Sequence, residues 1–211
     1  MAICTDLTQA EGECPNGTYW VVFVAEPSPW AGDDVVCAEY QIATGFEQTA
    51  TVLIAGDAEG SPVPRQELHE PWLIWDADTE RFFLWVTAGS SGYGTHLDLV
   101  LGACPGCGSS TDALPRASWE LYPGSPVLAS EDLQRILRPA LDDPWVDCFD
   151  GEGLGGCEIG GVSGILVEDD VLDQEVLHMW VEIKEAPVDA DGPRWGIHHI
   201  WQPFGLPDQE P

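Results

Sequence analysis

Two stretches place a carboxylate directly before a Pro-Trp pair. They are His69-Glu70-Pro71-Trp72-Leu73 and Asp142-Asp143-Pro144-Trp145-Val146, offset by 73 residues. A carboxylate aimed into a pocket can move protons or accept hydroxyl hydrogens. The same acid at the head of a strand can merely cap a turn, and both readings stand for Glu70 and Asp143. His69 can orient Glu70, or be an ordinary structural histidine. His198-His199 suggests a metal only with a third ligand nearby, and none is evident. Asp189-Ala190-Asp191-Gly192 opens like a calcium loop but has Ile200 where the bidentate Glu belongs, so no cofactor is expected and calcium lacks support. Cys104-Pro105-Gly106-Cys107 has redox spacing but no βαβ pattern around it, which favours a hairpin-tip disulfide. No G-x-S-x-G motif and no phosphate-cradling Gly loop followed by Lys occurs, so acyl and phosphoryl transfer have no support.

The elements that must position these residues are strands. Tyr19–Val24, Trp72–Trp75, Phe82–Val86 and Val176–Val181 are β-branched or aromatic runs bounded by Gly, Pro or Asp. Asp76–Glu80 reads as a hairpin tip between two of them. One short helix is predicted, with Ser130 as its cap, Arg135 and Arg138 near its negative end, and Pro139 as its stop. The offset of 73 recurs between Phe46-Glu47 and Trp119-Glu120. Thr51–Ala55 parallels Pro126–Ala129 with a slip of two, and Phe83–Val86 matches His178–Val181. Each unit reads as four strands. A repeated four-strand meander predicts an all-β fold of β-propeller blades. The units are about 15–70 (partial), 71–130 and 144–205, the last with a Gly-rich insert at 148–161 bracketed by Cys148 and Cys157. The first strand of the third unit starts at Pro144 or at Val162, since Ile165–Asp169 also aligns with Leu73–Ala77.

Composition limits the partners. Lys plus Arg total 7 against 37 Asp plus Glu, a net charge of −30 in 211 residues. Such a field repels phosphate backbones and anionic bilayers, so nucleic-acid binding and lipid-surface binding are close to excluded. No apolar run approaches the roughly 20 residues that span a bilayer, and membrane insertion is not expected. Hydrophobic residues at 44% and ten Trp argue for a packed core. The seven Cys fall as Cys4/Cys14, Cys104/Cys107 and Cys148/Cys157 with Cys37 left over, a density that suggests a periplasmic or extracellular location. The residues after Met1 lack the pattern of a signal peptide, which is expected to be absent from this chain. At about 73 residues per unit, 211 residues give just under three units, where closed propellers need roughly four to eight; a partial propeller is expected.

The stretch EPWLIWDADTERFFLWVTAGSSGYGTHLDLVLG, followed by SWELYPGSPVL, resembles a blade of the five-bladed propeller glycoside hydrolases. These are the arabinanase and β-xylosidase group, glycoside hydrolase family 43, with their invertase and levansucrase relatives. The resemblance covers about residues 18 to 205 in three partial copies. It implies inner-strand carboxylates facing an axial pocket, one as base, one as acid, one tuning the acid. Carried over, Glu70 and Asp143 occupy the acid-Pro position of successive blades, and Glu158 resembles the general acid. Glu70 stands where the family usually has Asp, and the leading Asp of the first blade has no counterpart. The resemblance implies hydrolysis or binding of glycosides, with an oligo- or polysaccharide as partner. Trp72 and Trp145 would then flank the pocket as stacking platforms, or pack between blades, and His69 could bond a sugar hydroxyl. The alternatives are a non-catalytic extracellular propeller and an inactive truncated copy.

Overall fold

The computed structural model describes residues 2–5, 7, 14, 16–26, 33–46, 50–56, 59, 61–63, 67–89, 96–107, 112–129, 158–171, 174–185 and 194–203. Their strands form three antiparallel sheets. The first contains β1 (Ala2–Cys4), β2 (Thr18–Ala25), β3 (Asp34–Gln41), β4 (Gly45–Phe46) and β5 (Thr51–Ile54). The second contains β6 (Glu67–Asp76), β7 (Arg81–Gly89), β8 (His96–Ala103), β9 (Ser118–Leu121) and β10 (Leu128–Ala129). The third contains β11 (Glu158–Asp169), β12 (Gln174–Glu185) and β13 (Arg194–Pro203). Consecutive long strands pair within each sheet, so each is a meander; none closes on itself among the described residues.

The first two sheets share a further device. β4 and β5 both pair with β3, and β9 and β10 both pair with β8. Each sheet is therefore finished by a strand in two pieces. The predicted hairpin tip is found between β6 and β7, where both carboxylate oxygens of Asp76 accept hydrogen bonds, from Asp78 N–H and from the Thr79 hydroxyl. Among the described residues the third sheet starts with β11, which contains Val162; Pro144, the other expected start, lies outside the described residues, as does the predicted helix at 130–139. The described helix is instead the single turn α1 (Ala113–Arg116).

The sheets stack, and side-chain alternation shows how. On β7, Phe82, Leu84, Val86 and Ala88 pack toward the first sheet, among Trp20, Val22, Cys37 and Ile54. Phe83 and Trp85, from the opposite face of β7, pack toward the third sheet with Leu177, Met179, Val181 and Ile183. A strand sandwiched between two cores has no polar face to show, which is why Phe82–Val86 reads as a continuous apolar run. Trp85 is 2% exposed and stacks obliquely on Trp72 with ring centroids 4.7 Å apart.

Among the described residues two disulfides are formed, Cys4–Cys14 and Cys104–Cys107. Both match the sequence expectation and fit an oxidising compartment. Cys148 and Cys157 lie outside the described residues. Cys37 is a free buried thiol on β3, and its burial pushes the pKa up from 9.0 to about 12. No helix among the described residues is long and apolar enough to cross a membrane.

Candidate functional site

The site is built from two bulges that face one another. On β6, His69 pairs with Thr87 and Trp72 with Trp85, so Glu70 and Pro71 together oppose one residue of β7. On β11, Ile159 pairs with Ile183 and Val162 with Val181, so Gly160 and Gly161 oppose one residue of β12. These are the same irregularity at the same place, on the first long strand of two successive sheets. Each reverses the in-out alternation of its strand. Leu68 and Leu73 consequently reach the same core although their positions differ by an odd number, and so do Ile159 and Val162. Pro71 is tolerated because a bulge position need not donate to the ladder.

The bulges touch. The Thr87 hydroxyl, fully buried on β7, donates a 2.7 Å hydrogen bond to the Gly160 carbonyl. It thereby partners a group in the bulge on the neighbouring sheet. The Glu70 carboxylate lies against the Cα of Gly161, in the space that a β-carbon would fill. Glu70 is exposed and its φ is 46°, in the left-handed region where a non-glycine residue costs about 1–2 kcal/mol. The other non-glycine residue described there, Glu80, has an evident use. Its carboxylate accepts from Gly106 N–H at 2.9 Å and its carbonyl from Cys104 N–H, so it closes a turn. No hydrogen bond holds the Glu70 carboxylate among the described residues. Its strain presents an open acceptor at the junction of two sheets.

His69 lies between two other carboxylates. Its Nδ1 is 3.9 Å from Asp33 and its Nε2 3.8 Å from Glu67, both beyond hydrogen-bonding reach. Neither distance couples it to Glu70. Trp72 is 6% exposed, enclosed by Trp85 and by Gly164 of β11. It occupies the core between the second and third sheets and presents no open ring. Glu158 is the first residue of β11, paired through its backbone with Lys184. Asp143 and Trp145 lie outside the described residues, as do Asp142 and the Asp189–Gly192 turn.

Of the sequence-selected residues, the structure therefore places Glu70 at a junction, His69 beside it in an acidic setting, and Trp72 in the core. Sequence reasoning missed Thr87, Gly160 and Gly161. The available signal was the parity of the apolar residues around each bulge, Leu68 against Leu73 and Ile159 against Val162. Among the described residues no group of three or more His, Cys, Asp or Glu is arranged to hold a metal ion. Compared with protein-family models, with curated proteins and with solved structures, the chain finds no match.

Proposed function

We propose that the three stacked meanders are successive blades of a β-propeller, and that the edge carrying the two bulges takes a neutral carbohydrate. The observation that supports this reading most directly is Glu70, an exposed and strained carboxylate lying on Gly161 where two sheets meet. An ionised carboxylate offers acceptor sites to several sugar hydroxyls at once. The net charge of −30 disfavours phosphorylated or uronic ligands and leaves neutral glycans unaffected. The two disulfides suit a periplasmic or extracellular setting, where free polysaccharide is available.

Hydrolysis needs a second carboxyl across the sugar ring, at about 5–5.5 Å from the first for retention or about 6.5–9.5 Å for inversion. Asp143 and Glu158 are the candidates that the family resemblance supplies for that role. The reading is tested with arabinan, xylan and fructan oligosaccharides, by titration calorimetry and by release of reducing ends. Wild type should bind at least one class. Glu70→Gln should weaken that binding by about 10- to 150-fold, the worth of about 1.5–3 kcal/mol for hydrogen bonds to a charged group. Asp143→Asn should spare binding and remove any sugar release. No binding of any class, or full binding by Glu70→Gln, refutes the proposal.

A further inference from the structure

The chain's one asparagine is Asn16, in a sequence that holds 37 carboxylate residues. It opens the triplet Asn16-Gly17-Thr18, the pattern Asn-x-Thr with a residue other than Pro in the middle. On the surface of a secreted protein, that pattern is the acceptor for an asparagine-linked glycan. The local structure supplies the setting. Gly17 N–H donates to the Cys14 carbonyl at 2.9 Å and closes a turn from Cys14 to Gly17. Gly17 has a φ of 63°, the left-handed conformation that glycine adopts freely. Thr18 then begins β2. Asn16 is exposed, two residues beyond Cys14, whose disulfide to Cys4 ties the turn to β1. That disulfide suits the oxidising compartment of a secreted chain.

What sets Asn16 apart is its amide nitrogen. Its Oδ1 accepts from Thr18 N–H at 3.0 Å, in the turn where a side chain stands in for a backbone carbonyl. Asp76 accepts from Asp78 N–H in the same way, and Asp169 from Val171 N–H, both at 2.9 Å. There a carboxylate does the accepting, as the composition leads one to expect. An Asp at 16 would accept equally well, so the turn does not explain the amide. Among the described residues Nδ2 has one contact, to the Thr5 hydroxyl at 3.3 Å, beyond the usual hydrogen-bond range. The fully buried Thr5 does not depend on it, because its hydroxyl donates to the Thr18 carbonyl at 3.2 Å. Nδ2 also carries two hydrogens, so replacing one leaves the other for Thr5.

We propose that Asn16 is the acceptor of an N-linked glycan. In the transfer, Nδ2 attacks the anomeric carbon of an oligosaccharide carried on a lipid diphosphate. The nitrogen–carbon bond forms as the bond from that carbon to the diphosphate oxygen breaks. Nδ2 gives up one proton to a base of the transferase, and the lipid diphosphate leaves. No oxidant or reductant takes part. The Thr18 hydroxyl completes the acceptor pattern. The proposal uses only the turn ahead of β2 and holds whether or not Glu70 binds sugar.

The test is secretion of the full chain, behind a cleavable signal, from a yeast or insect-cell host, followed by intact-mass measurement. Wild type is expected to exceed 22.9 kDa by one oligosaccharide. A glycosidase that hydrolyses the asparagine–sugar bond should remove the excess. Asn16→Gln and Thr18→Val should lack the sugar, whereas Thr18→Ser, which restores the hydroxyl, should keep it. Asn16→Asp retains the turn acceptor without the amide. It should lack the sugar and keep the urea midpoint of wild type made without sugar in a bacterial host. A folded, secreted wild type without a glycan overturns the proposal, and so does a glycan that survives Asn16→Gln. A midpoint lowered by Asn16→Asp as far as by Asn16→Ala also overturns it, because the amide would then serve the fold.

Discussion

Gly161 and Gly164 sit three residues apart on β11, and a β-carbon at each meets a different obstacle. At 161 it meets the Glu70 carboxylate, the far end of an exposed side chain. At 164 it meets the indole of Trp72 and the backbone carbonyl of His178, both at 2.6 Å. The carboxylate can swing into solvent, whereas a buried ring and a ladder carbonyl cannot. Gly161→Ala therefore keeps the usual benefit of removing glycine from an unstrained position, about 0.4–1 kcal/mol, less the small cost of moving Glu70. Its net effect should lie within about 0.5 kcal/mol of zero. Gly164→Ala overpacks the core between the second and third sheets and should cost about 1–3 kcal/mol. For a chain of this size that lowers Tm by roughly 2–12 °C. Urea unfolding followed by Trp fluorescence measures both, with Trp72 and Trp85 as reporters at the affected interface. In a Glu70→Ala background the obstacle at 161 disappears, and Gly161→Ala should become stabilising by the full 0.4–1 kcal/mol or about that. If Gly161→Ala destabilises as strongly as Gly164→Ala, Glu70 is not the free, displaceable group described here, and its place in a ligand site fails with it.

Two other expectations concern buried polar groups. Cys37, held as a thiol with its pKa pushed to about 12, should resist a thiol reagent at pH 8 in the native protein and react fully in urea. Because its folded pKa lies above its unfolded one, its contribution to stability is intact below about pH 9 and falls by about 1.4 kcal/mol per unit as pH rises from there toward 12; an unfolding free energy that Cys37→Ala leaves equally alkali-sensitive would contradict this. The Ser125 hydroxyl donates to the buried Asp98 at 2.7 Å and accepts from Leu99 N–H at 3.1 Å, so Ser125→Ala removes one hydrogen bond from each of them. It should cost about 1–3 kcal/mol, and an unchanged denaturation midpoint would refute that role.

The sequence was legible where a strand's own composition decides its state. The runs Tyr19–Val24, Phe82–Val86 and Val176–Val181 all lie within strands, and the expected disulfides Cys4–Cys14 and Cys104–Cys107 both form. β3 escaped notice because its apolar run, Val35–Ala38, is only four residues long between Asp34 and Glu39, although it is the centre of the first sheet. α1 has four residues with Pro115 inside it, too short for any periodicity. The candidate site was half legible. A carboxylate before Pro-Trp drew attention to Glu70, yet its partner on β11 is a pair of glycines, which have no side chain to advertise a role. Trp72 shows the reverse failure. Its position beside Glu70 suggests a platform, and only the pairing with Trp85 reveals that alternation turns it inward.

Strands that are apolar on both faces also bear on how the chain is made. Every sheet is assembled from neighbouring segments, so each can form as soon as its own residues leave the ribosome, in the order first, second, third. The core face of the first sheet, with Trp20, Val22 and Cys37, is uncovered until the second sheet arrives. Such intermediates invite aggregation between nascent chains. Thirty surplus negative charges spread over 211 residues make those encounters repulsive during that interval. The same charge that disfavours anionic ligands thus also opposes contact between chains whose sheets are incomplete.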